Sequence, residues 1–177
     1  MRKSTVFSSY DLAIIAVFAA FIALCSFITI PFAVPFTMQV FGVFFAIGML
    51  GTKRALASVL IYLLLGAVGV PVFSGFQGGI HIILGQNGGF LIGFLVSVIV
   101  TGVLLKRMKN TFISVFLSML GGLFSIYLSA VLWLVLAYTF KIEQAVLLIA
   151  AFVVLDVLKI ALAAYLSLKI NKSEVKF

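Results

Sequence analysis

Residues 145–166 read AVLLIAAFVVLDVLKIALAAYL, and this stretch decides the class of the fold. A helix of about 20 apolar residues is long enough to cross the roughly 30 Å hydrocarbon core of a bilayer. Only Asp156 and Lys159 interrupt the run. Each ionised group would cost about 2.5–3.5 kcal/mol if it stood alone at the bilayer centre. The stretch therefore predicts a transmembrane helix that carries a buried ion pair.

The composition of the whole chain also indicates a membrane protein. Apolar residues make up 65% of the 177 residues, against about 45–50% in soluble domains. The mean hydropathy of +1.39 is too high for one water-soluble core, so we expect the chain to fold in the lipid bilayer. A net charge of +8 would suggest nucleic acid as a partner for a soluble protein, but here the basic residues form short clusters between apolar runs. We interpret them as topology signals and expect no nucleic-acid partner.

The apolar runs and the residues that break them predict an all-α, polytopic membrane protein with six transmembrane helices in one domain, residues 1–177. The first span ends at Pro31 and Pro35, because proline lacks the N–H and restricts the residue before it. The first run is also too long for the core of a signal peptide, so we expect it to be retained. The predicted spans are 12–30, 36–50, 55–73, 88–105, 111–138 and 145–168.

The basic residues fall mostly on one side of these spans. The loops on the other side carry only Lys141. The positive-inside rule therefore predicts that both termini are cytoplasmic and that loops 31–36, 74–87 and 139–144 face outward. The residues assigned to the cytoplasmic side are Arg2, Lys3, Lys53, Arg54, Lys106, Arg107, Lys109, Lys169, Lys172 and Lys176.

A glycine-rich and almost uncharged segment lies in one of the outward loops. It runs from Gly66 to Phe73 as GAVGVPVF, continues through Gly78 and Gly79, and reaches the string GQNGG at 85–89. Most membrane loops are polar connectors, whereas this one combines glycine, aromatic and amide residues. We expect it to pack over a small polar molecule.

Asp156 and Lys159 are three residues apart and share one face of a helix. Counted from the outer end near residue 145, Asp156 lies roughly 16 Å into the membrane, which is near the midplane. Two interpretations remain open. The pair can satisfy itself within the helix, or it can bind a ligand, and the second is favoured because intramembrane ions are usually functional.

Asn87 begins the fourth span beside Gly88 and Gly89, where missing side chains permit close backbone approach. Asn87 can cap this helix or contact a ligand, and these roles are compatible. Gln86 is the alternative ligand contact. Pro71, Val72 and Phe73 end the third predicted span, and we interpret them as a helix stop.

The chain offers little for catalysis or metal binding. Its single histidine, His81, has no cysteine or carboxylate neighbour, and its single cysteine, Cys25, reads as a buried apolar residue. No phosphate loop is present, so ATP hydrolysis would need another chain. We expect no enzyme activity, no catalytic residue, no metal and no cofactor. The alternative function is a self-sufficient carrier or channel in which Asp156 and Lys159 relay ions, although no inverted repeat supports it.

Small residues recur at helical spacing in the first span, at Ala16, Ala19, Ala20 and Ala23. Such small-xxx-small pairs allow close helix contact in lipid. They can serve internal packing or the docking of a partner helix, and the pattern does not separate the two.

Four strings in order resemble the BioY family, the biotin-specific S-components of energy-coupling factor (ECF) transporters. They are VPFTMQ at 34–39, LLLGAVGVPVF at 63–73, GQNGGFLIGF at 85–94 and DVLK at 156–159, and the resemblance covers nearly the whole chain. There is one departure. Where the family commonly has Gly-Pro-Thr-Gly-Gly-Tyr, this chain has Gly-Gln-Asn-Gly-Gly-Phe, so either Gln86 or Asn87 can be the ligand contact.

The resemblance implies a six-helix S-component in a prokaryotic cell membrane, with biotin as the transported ligand. It also implies a complex with a transmembrane coupling protein and two ABC-type ATPases, with Ala16, Ala19, Ala20 and Ala23 facing the coupling protein. Biotin's ureido ring has two N–H donors and one carbonyl acceptor, which suit an amide, a carboxylate and an ammonium group. The residues expected to bind biotin are Gln86, Asn87, Gly88, Gly89, Phe73, Asp156 and Lys159.

Overall fold

The computed structural model describes residues 7–30, 36–108 and 111–174, with side chains up to residue 170. Within these residues, five helices are long and apolar enough to cross a membrane, namely Ser9–Phe27, Gln39–Ala67, Gly88–Arg107, Phe112–Tyr138 and Ile142–Ile170. The elements are α1 (Ser9–Phe27), β1 (Thr29–Ile30), β2 (Phe36–Thr37), α2 (Gln39–Ala67), α3 (Ile80–Leu84), α4 (Gly88–Arg107), α5 (Phe112–Tyr138) and α6 (Ile142–Glu174).

Helix α2 doubles back on itself at Gly51. The φ of 71° and ψ of 173° at Gly51 are not helical, and a positive φ of this kind favours glycine. The side-chain amide of Gln39 lies 2.5 Å from the Tyr62 hydroxyl, whereas a straight helix would hold them about 34 Å apart at 1.5 Å per residue. The halves 39–50 and 52–67 are therefore antiparallel. The described chain crosses the bundle six times, and the predicted six-helix fold is confirmed.

Several helix ends differ from the predicted spans. Helix α1 stops at Phe27 rather than at residue 30, and the next residues pair as a short antiparallel hairpin, β1–β2. Helix α2 ends at Ala67 rather than at Phe73, because Gly69 has a φ of 105° that a helix cannot continue through. Pro31 and Pro35, predicted to end the first span, lie outside the described residues.

The alanine stripe of α1 divides between two faces. Ala19 and Ala23, with 3% and 7% of their surface exposed, belong to the buried core, whereas Ala16 and Ala20 are exposed. The expectation that all four alanines form a docking face is therefore wrong for Ala19 and Ala23. Ala16 with Ala20 and Ala19 with Ala23 form two adjacent rows on the helix, and the sequence pattern cannot show which row faces inward.

The two ends of the bundle differ in character. One end holds residues 28–30 and 36–38, the connection 68–87 and residues 139–141, and we call it the loop end. At the opposite end, Asp11 forms an ion pair with Arg54 at 2.6 Å, which joins the start of α1 to the second half of α2. This end also carries Lys53, Lys106, Arg107 and Lys169. The side chains of Arg2, Lys3, Lys109, Lys172 and Lys176 lie outside those that the structure describes.

Candidate functional site

A pocket opens at the loop end, between the β1–β2 hairpin, the start of α2, loop 68–79, the start of α4 and the middle of α6. It contains about 630 Å³ of empty space, including its open mouth. The pocket is lined by Phe36, Thr37, Gln39, Val40, Phe73, Ser74, Gln77, Ile82, Asn87, Phe90, Leu91, Phe94, Phe152, Asp156 and Lys159.

The ion pair of α6 forms one wall of this pocket. The Lys159 ammonium lies 2.8 Å from Asp156 Oδ1, and the two residues are only 7% and 4% exposed. Lys159 also donates to the Thr37 carbonyl at 2.7 Å and lies 3.5 Å from the centre of the Phe36 ring. The other carboxylate oxygen, Asp156 Oδ2, accepts a hydrogen bond from the Tyr127 hydroxyl at 2.8 Å. The pair is thus internally satisfied and also borders the pocket.

A buried polar network supports the hairpin side of the pocket. The Thr37 hydroxyl donates to Gln39 Oε1 at 2.7 Å, and the Gln39 amide donates to the Tyr62 hydroxyl. Gln39 and Thr37 are both buried. Because Lys159 bonds the Thr37 carbonyl, the network connects the hairpin to α6.

Asn87 lies at the start of α4, where it makes no side-chain capping bond. Its Oδ1 is buried and has no hydrogen-bond partner among the described residues. A buried, unsatisfied amide oxygen costs about 1–3 kcal/mol, so such a group in a pocket indicates a site for a donor. The geometry therefore favours ligand contact over capping for this residue.

The neighbours of Asn87 have other positions. Gln86 is exposed and does not line the pocket. Gly88 and Gly89, expected in the binding site, are instead buried against α5, where a Cβ at Gly89 would stand 2.5 Å from the Cβ of Trp133. These glycines permit close packing of α4 on α5, and Asn87 is the residue of this string that reaches the pocket.

Aromatic side chains form much of the remaining wall. Phe73 is buried and packs edge-on against Tyr62, with ring centres 5.5 Å apart. Phe36 stacks on Phe152 at 5.9 Å, and Phe90 meets Phe152 at 6.5 Å. Such walls suit a flat or aliphatic ligand body.

Several residues of this site were not predicted from the sequence. Phe152 is one of them, although a signal was present. It lies four residues before Asp156 and seven before Lys159, so helical periodicity places it on the same face of α6. Thr37 and Gln39 are polar residues in an apolar segment, which is a weaker signal. Tyr127 has no local signal, because its partner Asp156 is 29 positions away.

The site combines charged, amide and aromatic side chains around one pocket. Among the described residues, no three His, Cys, Asp or Glu side chains lie together as metal ligands would. An internal ion pair, an unsatisfied amide oxygen and aromatic walls inside a helical membrane bundle define a membrane protein that binds a small, partly polar solute.

Comparison with known proteins gives the family. The BioY family profile matches residues 1–175, and the chain belongs to this family. The biotin transporter BioY of Thermotoga maritima is 38% identical over 162 residues, covering 90% of this chain and 95% of the relative. The biotin transporter BioY of Rhizobium etli is 36% identical over 171 residues, covering 90% and 91%. The recognised family is confirmed, and the chain is a multi-pass protein of the cell membrane.

The fold also matches a solved structure. A crystal structure of the S-component for biotin from an ECF-type ABC transporter superposes with a TM-score of 0.88 at 25% sequence identity. The match covers 96% of each chain. The S-component-like fold expected from the sequence is therefore confirmed.

Proposed function

We propose that this chain is the biotin-binding S-component of an ATP-driven ECF-type uptake transporter. The observation that carries the proposal is the unsatisfied Asn87 Oδ1, which lines one pocket with the Asp156–Lys159 pair. Family membership and the fold match support biotin as the ligand. The chain itself acts by binding, and ATP hydrolysis belongs to partner ATPase subunits.

The chemistry of the pocket complements that of biotin. The Asn87 oxygen and the Asp156 carboxylate are acceptors for the two ureido N–H groups. An ionised carboxylate has about four lone-pair sites, and two hydrogen bonds to Asp156 leave room for another. The phenylalanine walls suit the fused rings and the aliphatic tail.

The exposed row of α1 is our proposed docking face for the transmembrane coupling protein. Ala16 and Ala20 are exposed alanines on a predominantly apolar helix. Small residues let two helix backbones approach closely in lipid. Docking on α1 would leave the pocket residues of α2, α4 and α6 in place.

Biotin binding is the direct test of the proposed function. The purified chain should bind biotin in detergent without ATP or partner proteins, because the polar groups of the pocket all come from this chain. Calorimetric titration measures the affinity for biotin. Lipoate is the matched control ligand, because it has a similar tail but no ureido ring. A folded sample that binds no biotin would overturn the proposal. Biotin accumulation in liposomes by this chain alone would favour the self-sufficient carrier instead.

We also propose that the loop end faces outward and that both termini are cytoplasmic. The described cations Lys53, Lys106 and Arg107 lie at the opposite end, which the positive-inside rule assigns to the cytoplasm. In a Cys25→Ala background, cysteines introduced at positions 77 and 140 should react with an impermeant thiol reagent on intact cells. A cysteine at position 108 should react only after lysis. The reverse labelling pattern would invert the proposed orientation.

A further inference from the structure

Helix α5 packs next to the pocket but does not line it. Among the described residues that line the pocket, none comes from α5. Three of its aromatic side chains nevertheless donate hydrogen bonds, one to Asp156 and two to the connection that leads to Asn87.

Tyr127 holds the carboxylate of Asp156 from the rear. Its hydroxyl donates to Oδ2 at 2.8 Å, while Lys159 donates to Oδ1 at 2.8 Å. Two donors on different oxygens fix the rotation of a carboxylate, which one donor alone does not. The direction in which Asp156 presents its remaining lone pairs therefore depends on Tyr127.

Trp133 holds the connection that presents Asn87. Its indole N–H donates to the Gly85 carbonyl at 2.9 Å, and the Tyr138 hydroxyl donates to the adjacent Leu84 carbonyl at 2.7 Å. A Cβ built at Gly88 would lie 3.0 Å from the Trp133 ring. The backbone on both sides of Asn87 is thus fixed against α5, although Asn87 itself makes no capping bond.

The spacing along α5 explains how one helix serves both groups. Tyr127 and Trp133 are six residues apart, which corresponds to about 240° around a helix of 3.6 residues per turn. They face different neighbours as a result: Tyr127 reaches α6, and Trp133 reaches the connection that leads into α4.

We propose that Tyr127 and Trp133 are positioning residues for ligand binding, Tyr127 acting through Asp156 and Trp133 acting through Asn87. This inference rests on the proposed function, because biotin is the ligand used to test it. Each residue sets the affinity of the site without touching the ligand.

Single substitutions give the first part of the test. Tyr127→Phe removes one oxygen that bonds a charged group, so biotin affinity should fall about 10–100-fold. Trp133→Phe removes a neutral donor, so the fall should be about 3–10-fold. Tyr165→Phe is the matched control, since it removes a hydroxyl from an exposed side chain of α6, and it should bind biotin as the wild type does.

Crossed double-mutant cycles separate positioning from a general structural role. The loss from Tyr127→Phe should disappear in an Asp156→Ala background and persist in an Asn87→Ala background. Trp133→Phe should show the opposite pattern. A residue that only stabilises the fold would weaken binding similarly in both backgrounds. The midpoint of thermal unfolding without ligand should therefore be measured for every variant.

Each outcome of these cycles decides the inference. If the wild type binds biotin but the losses are equal in both backgrounds, or every variant binds within twofold of the wild type, the positioning roles are wrong and the proposed function stands. If the wild type binds no biotin, the proposed function fails and the inference fails with it. Should Trp133→Phe misfold, Tyr138→Phe replaces it, because it removes only the hydroxyl with which α5 bonds the Leu84 carbonyl of the same connection.

Discussion

Lys159→Ala is expected to lower the affinity for biotin by about 30-fold to several-thousand-fold, corresponding to a loss of about 2–5 kcal/mol. The substitution removes the donor from Asp156 Oδ1 and leaves a carboxylate that is only 4% exposed with the Tyr127 hydroxyl as its described partner. Asp156→Ala should have a comparable effect, since it leaves the Lys159 ammonium without its counter-ion. Equilibrium titration with biotin measures both losses.

The double variant Asp156→Ala/Lys159→Ala separates ligand contact from the cost of an unpaired charge. If the pair is purely structural, removing both charges should restore much of the affinity, because no buried charge remains unpaired. If the pair contacts biotin, the double variant should bind as weakly as the single variants or more weakly. Gln86→Ala is the matched control variant. Gln86 is exposed, so this variant should bind biotin with the affinity of the wild type. If Lys159→Ala binds biotin with the affinity of the wild type, the ion pair does not contribute to binding and its role is structural.

Ala16→Trp and Ala20→Trp are expected to abolish ATP-dependent biotin uptake while leaving biotin affinity in detergent unchanged. Both alanines are exposed on α1, and a tryptophan there would keep a partner helix from close approach. The variants should also lose copurification with the coupling protein. Uptake by cells that express the complete transporter, together with affinity pull-down, measures the separation of binding from transport.

Two alanine controls define this docking surface. Ala150→Trp places the same bulk at an exposed position of α6, and it should retain uptake. Ala19→Trp places it in the core, where Ala19 is 3% exposed, so this variant should misfold. Loss of biotin binding by Ala20→Trp with intact assembly would show that this row packs internally and that the docking surface lies elsewhere.

The number of membrane crossings was predictable, because a span requires only a sufficiently long apolar run. The exact helix ends were not, since hydropathy does not distinguish an apolar helix from an apolar loop. Val68 to Phe73 remain apolar after α2 has ended, and the backbone conformation of Gly69 determines that end. The turn at Gly51 has the same origin, a positive φ that composition does not reveal.

The polar residues of the site were predictable in part. Asp156 and Lys159 stand out because charge is expensive in lipid, and Asn87 stands out in a family string. The sequence could not choose between Gln86 and Asn87, because that choice depends on how the backbone leaves α3 and enters α4. The role of Tyr127 requires the packing of α5 on α6, which sequence spacing does not specify.

The pairing of Asp156 with Lys159 has an electrical consequence. Together the two ionised groups carry no net charge, so the occupied pocket takes the charge of its ligand. Biotin with an ionised carboxylate would make the loaded site a monoanion. Carrying one such charge inward against a membrane potential that is negative inside takes about 2.3 kcal/mol for every 100 mV. A neutral empty site has no such barrier on its return, so the membrane potential opposes only the loaded step. In the proposed transporter, ATP hydrolysis on the partner subunits would have to supply the difference.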